Sequence, residues 1–122
     1  MAKYSHPDVL DASLNEVATA ERMIACSDQP ADYASVAALL LADVAMAPED
    51  FTIGPGASSG RRVTMAEKPG VAVTTAGNVN HVALVDDTAE KLLYVTTADN
   101  QQITDGSFVD FPEWSIEIAD PA

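Results

Sequence analysis

Residues 80–97 alternate between two apolar runs and one polar break. Residues 81–85 and 91–97 are rich in β-branched side chains, and Asp86-Asp87-Thr88-Ala89-Glu90 separates them. That pattern predicts a β-hairpin. Side chains alternate across a strand, which sends Val82 and Leu84 to one face and Ala83 and Val85 to the other. With both faces apolar, the hairpin is expected in the middle of a sheet rather than at its edge.

The remaining pattern supplies elements to cover it. Ser5-His6-Pro7-Asp8 reads as a helix start: Ser5 can cap, Pro7 is tolerated in the first turn, and Asp8 favours the positive helix end. Leu10, Leu14 and Val17 follow at helical spacing, which predicts a short amphipathic helix over 7–20. Residues 22–27 form a strand, and Ser27-Asp28-Gln29-Pro30 a turn. Residues 34–46 carry mixed signals, with Ala and Leu favouring helix. A loop or short helical turn is expected there, followed by a strand near 41–46.

Further along, residues 51–53, 61–66, 71–75, 101–104, 108–111 and 113–119 read as short strands. Turns are expected at Pro48-Glu49-Asp50, Lys68-Pro69-Gly70, Ala76-Gly77-Asn78, Ala98-Asp99-Asn100 and Asp105-Gly106. In 61–66, Val63 and Met65 face inward and Arg62 and Thr64 outward. In 113–119, Trp114, Ile116 and Ile118 share one face, with Trp114 expected to be largely buried. Residues 54–60, Gly-Pro-Gly-Ala-Ser-Ser-Gly, form a flexible exposed loop. They lack the Gly-Lys-Ser/Thr ending of a phosphate-binding loop. Many short strands at close intervals give a mainly β fold: an antiparallel β-sandwich or barrel-like domain with one short N-terminal helix. An extended N-terminal arm over 1–7 precedes a single β-rich domain over 8–122.

Composition narrows the function. The chain has 122 residues, enough for one real core, and 48% of them are hydrophobic. Nineteen Asp and Glu oppose six Lys and Arg, a formal charge of −13. Nucleic acid and anionic lipid are gripped mainly through Lys and Arg, so neither is an expected partner. The N-terminal residues lack the apolar run of a signal peptide, and residues 36–42 are too short an apolar run to span a bilayer. The single cysteine, Cys26, excludes an intrachain disulfide and fits a chain made in a reducing cytosol. Its surroundings mark it as a small buried apolar residue of a strand.

No catalytic constellation is legible. His6 lies in the arm and His81 starts a strand, and neither has a neighbour at metal-ligand spacing. The carboxylates are scattered rather than paired on one strand face, which argues against glycoside hydrolysis. Asp86-Asp87 and Glu49-Asp50 are acidic turns that could hold a cation between chains, although such turns are usually just solvated. Neither a cofactor, a metal nor an enzymatic activity is expected. Arg61-Arg62 is the basic doublet of an acidic chain. It can grip a partner's carboxylate, though a local ion pair or a solvated loop end is the commoner fate. Tyr4 and His6 on the arm complete the candidate partner contacts.

Taken in order, HPDVLDASL (6–14), DFTIGPGASSGRRVT (50–64), HVALVDD (81–87), LLYVTT (92–97) and FPEWSIEIADPA (111–122) resemble small virion structural proteins of tailed bacteriophages. The resemblance covers nearly the whole chain and rests on strand and turn patterns. It implies a head decoration, or cement, protein made in the host cytoplasm. Such a protein would bind the major capsid protein on the capsid exterior as a homo-oligomer, with a trimer expected. Because the family also includes tail and fibre components, a host- or glycan-binding β-sandwich is the alternative it implies.

Overall fold

The computed structural model describes residues 4–120. Helix α1 (Pro7–Val17) leads into strand β1 (Arg22–Cys26), helix α2 (Tyr33–Leu39) and strand β2 (Leu40–Ala45). After a 3-10 turn at Pro48–Asp50 come β3 (Phe51–Pro55), β4 (Arg61–Met65) and β5 (Lys68–Ala72). The long pair β6 (Gly77–Asp86) and β7 (Lys91–Ile103) follows, then β8 (Phe108–Phe111) and β9 (Trp114–Ile118). Strands take 50% of the described residues and helices 18%, so the chain is mainly β. All strand pairings are antiparallel.

The expected hairpin is β6–β7, and it is longer than its apolar centre suggested. It belongs to a four-stranded sheet ordered β2-β1-β6-β7. Strand β6 is interior, as expected, but β7 is an edge strand. The two faces of β6 do meet two separate cores. Leu84, with Met23 and Ala25 of β1, faces the larger core, which also holds Val63, Met65 and Ile116 of a second sheet ordered β3-β4-β9. Ala83 and Val85, with Ile24 and Cys26, face a smaller core closed by Val36 of α2 and flanked by Tyr33 and Leu39. The result is a sandwich with a short helix on its outer face. This explains why Met23 through Cys26 are all buried: β1 is covered on both sides.

A two-stranded ribbon, β5–β8, fills the end of the larger core. It joins the first sheet through a bridge between Ala42 and Val73 and through Thr74 N–H donating to the Leu41 carbonyl at 2.9 Å. Helix α1 closes another side. It buries Leu10 and Leu14, and Asp11 accepts from Arg61 Nε of β4 at 2.8 Å. Glu16 accepts from Lys91 Nζ at the start of β7 at 3.3 Å.

Several expected boundaries shift for identifiable reasons. His6, not Ser5, is the N-cap of α1: its backbone is extended and its ring Nδ1 accepts from Asp8 N–H at 3.0 Å. The helix ends at Val17 rather than Ala20, because Thr19 and Ala20 N–H turn back to the carbonyls of Glu16 and Val17. The ambiguous stretch resolves into α2 and β2, so among the described residues a second short α-helix joins the expected N-terminal one. Asp32 caps α2 by accepting from Ser35 N–H at 2.8 Å, and Ser35 Oγ accepts in return from Asp32 N–H at 3.2 Å.

Three expected turns are instead strand. Gly77 and Asn78 already pair with Ile103 and Gln102. Lys68-Pro69-Gly70 lies inside β5, where the register with β8 jumps between Lys68 and Val71. Ala98-Asp99-Asn100 lies inside β7, where the register jumps between Val79 and His81. In both jumps the polar and Gly/Pro residues mark a bulge, which consumes extra residues without reversing the chain. The arm expected over 1–7 falls partly outside the described residues, which begin at Tyr4, and Pro7 already belongs to α1.

Candidate functional site

The bulge in β7 lies along a groove in the surface. Val79 pairs with Gln101 and His81 with Thr97, so Asn80 alone faces Ala98, Asp99 and Asn100. The extra residues of β7 lie across from the connector that joins β8 to β9. Between them opens a groove with two lobes of about 360 and 250 Å³. Val82, Ala98, Asp99, Phe111 and Pro112 line both lobes. Thr96, Thr97 and Trp114 complete one; Ala25, Val79, Val109 and Asp110 are among the residues completing the other.

The floor is apolar because it is the open end of the sandwich core, where Phe111 and Val79 are buried. Trp114 is partly buried, packed against the edge of the larger core. Its indole is held at the groove wall by two contacts. Nε1–H points to Met23 Sδ at 3.4 Å, and the ring lies 6.2 Å from that of Tyr94, tilted by 39°. Pro112 and Glu113 precede it in an exposed connector too short to cover the ring. Two carboxylates stand on the lip. Asp99 is exposed, and Asp110 is exposed with Oδ1 accepting from Gly70 N–H at 2.8 Å. Among the described residues neither has a Lys or Arg within ion-pair distance.

None of the four contacts picked out from the sequence lines this groove. Tyr4 is 80% exposed beside the start of α1. His6 serves as the helix cap. The Arg61 guanidinium is engaged by Asp11 through Nε at 2.8 Å and Nη2 at 3.3 Å, the local ion pair that such a doublet commonly forms. Arg62 is exposed on β4 opposite Glu117 of β9, and among the described residues it makes no ion pair. Tertiary register assembled the groove, and local pattern did not announce it. The usable signals were the Pro112-Glu113-Trp114 break between two strands and the polar run 98–100 inside a strand.

Asp86, Asp87 and Asp50 of the acidic turns are engaged internally. Asp87 receives Arg22 Nε at 2.8 Å, Arg22 Nη2 at 2.9 Å and Tyr33 O–H at 2.8 Å. The Arg22 guanidinium holds the Asp87 carboxyl below the usual carboxylate range, and Asp87 in turn holds the Tyr33 hydroxyl protonated to higher pH. Arg22 also donates to Asp43 at 3.0 Å, so one cation ties β1 to β2, α2 and the hairpin connector. Asp86 Oδ1 accepts from Thr88 and Ala89 N–H within that connector. Asp50 accepts from Lys68 Nζ at 2.9 Å and from Ala47 N–H at 2.8 Å, and Lys68 lowers its pKa.

The remaining chemically able groups are also accounted for. Burial pushes the Cys26 thiol up to about 11, leaving it unreactive at neutral pH. His81 Nδ1 lies 2.6 Å from Asn80 Oδ1, and Asn80 Nδ2 donates to the Ser27 carbonyl at 2.9 Å. Among the described residues no three His, Cys, Asp or Glu are grouped to hold a metal ion, and no helix is long and apolar enough to cross a membrane. No family model, curated protein or solved structure matches the chain.

Proposed function

We propose that this chain is a phage virion structural protein, a decoration protein that binds the outer surface of the head and bridges capsid subunits. The observation that carries the reading is the free edge of β7. This strand runs for thirteen residues as the end strand of its sheet and borders the open groove. An edge strand offers unpaired backbone groups to a neighbour, and its partner need supply only an extended segment.

Exposed apolar side chains add to this. Phe108 is 71% exposed on β8, and Val9 and Tyr4 stand out near α1. The charge of −13 keeps such a protein soluble before assembly and away from packaged DNA. Repetition around a local symmetry axis lets weak contacts add, which favours a trimer over a monomer.

The Tyr94–Trp114 pair favours a second reading, a tail or fibre component that recognises glycans through an aromatic surface. Densitometry of the purified virion separates the two. A shell protein is present in amounts comparable with the capsid subunit, whereas a tail part is present in a few copies.

A further inference from the structure

From the groove between β7 and the β8–β9 connector, we infer that its occupant is a protein segment pairing an apolar side chain with a flanking Lys or Arg. This rests on the assembly reading and specifies the chemistry of the partner at that site.

The floor calls for the apolar part. Val82, Ala98, Phe111, Pro112 and Trp114 present an open apolar surface of side-chain dimensions. Filling it removes that surface from water on both partners. The lip calls for the basic part. Asp99 borders both lobes and Asp110 the lobe lined by Val79 and Val109, and the described residues give neither a cationic partner. A cation on the incoming segment meets two unneutralised carboxylates at the edge of a low-dielectric floor, where attraction is stronger than in bulk water.

Charge also discriminates between occupants. A second copy of this chain brings 19 acidic side chains against six basic ones, so self-docking sets like charge against like at the lip. A nucleic acid is rejected by the same carboxylates. A free apolar molecule would fill the floor but leave the lip unanswered.

The test uses end-capped pentapeptides and the full-length protein. One peptide alternates lysine with leucine, a second alternates glutamate with leucine, and a third alternates lysine with glycine. Binding is read from the emission of Trp114, the chain's one tryptophan, and from amide shifts of Val82, Ala98, Asp99 and Phe111. The lysine–leucine peptide is expected to saturate, to move those four amides, and to weaken as ionic strength rises. The glutamate–leucine and lysine–glycine peptides are expected to bind far less.

Replacing both lip carboxylates, D99N with D110N, is expected to weaken the lysine–leucine peptide by about fivefold while leaving the far-ultraviolet circular dichroism unchanged. Ala98→Phe, which fills the groove from its floor without adding a second tryptophan, is expected to abolish binding. No saturable binding, equal binding of the lysine–leucine and glutamate–leucine peptides, or undiminished binding by the D99N/D110N variant overturns the inference. Self-association through the groove that the peptide merely reverses also overturns it. These measurements need no capsid. If the peptide binds as expected but the protein never binds heads, the groove chemistry stands and the decoration reading fails.

Discussion

Arg22 and Asp87 meet as a two-point pair, Nε to Oδ2 at 2.8 Å and Nη2 to Oδ1 at 2.9 Å, across 65 residues of sequence. The pair pins the first strand of the sheet to the connector of the hairpin beside it. Both side chains are about one-third exposed, at 29% and 35%, so solvent screens part of the attraction. Asp87→Ala is expected to cost about 1–2 kcal/mol, since it also leaves Tyr33 O–H and part of Arg22 without a partner.

The pH dependence of that pair has a definite sign. Arg22 lowers the folded-state pKa of Asp87, so the contribution is fully present above the unfolded carboxylate value of about 3.9 and is lost as pH falls through the lowered folded value. Acidification also relieves the mutual repulsion of an acidic chain, which acts in the opposite direction. The informative quantity is therefore the difference between the native chain and Asp87→Asn. Urea midpoints should differ clearly at pH 7 and converge toward pH 2. A constant difference across that range would show that the carboxylate's charge is not the source.

Gly60 has φ +70°, and a methyl group there would overlap the carbonyl of Ile118 and crowd Ala119. The β3–β4 connector thus presses its backbone directly on the end of β9. Gly60→Ala is expected to destabilise by at least about 2 kcal/mol, combining the left-handed penalty with the steric one. Gly70, also at positive φ, has open space where a Cβ would go, so Gly70→Ala should show only the conformational part. Equal losses at both positions, measured by thermal or urea melting, would rule out close packing as the reason for Gly60.

Glu90 is the non-glycine residue with positive φ among the described residues, at 56°, and it closes the hairpin connector. Glu90→Gly relieves the left-handed strain but frees the unfolded chain, for a net gain of about 0.5–1 kcal/mol. A raised urea midpoint with an unchanged slope is the expected result, and a lowered midpoint would mean that the glutamate side chain contributes something else.

Because Trp114 lines the groove rather than the closed core, its emission should fall between that of a buried and a water-exposed indole, and a neutral quencher should reach it. Trp114→Ala is expected to cost about 2–3 kcal/mol, below the roughly 3–5 kcal/mol of a fully buried aromatic. Complete protection from the quencher would mean that the groove is closed in solution.

The sequence made the sandwich legible wherever alternation met burial. Val63 and Met65 face inward as expected, β8 spans 108–111, and the two faces of β6 carry the expected residues. It misread places where Gly, Pro or Asn interrupts a strand, because a bulge and a turn use the same residue types. Pro69-Gly70 and Asp99-Asn100 are such cases, and only pairing with β8 and β6 distinguishes them. The groove was hidden for the same reason. Val82, Asp99 and Phe111 are brought together by a register jump, and no local spacing encodes that meeting.

The decoration proposal stands or falls on attachment of the protein to a head. The direct measurement mixes the purified chain with undecorated phage heads, sediments them, and quantifies the bound protein against added protein. Saturable co-sedimentation with heads at a fixed ratio to the capsid subunit is expected. A protein that stays in the supernatant with heads, yet pellets with purified tails, would contradict it and put the tail reading in its place.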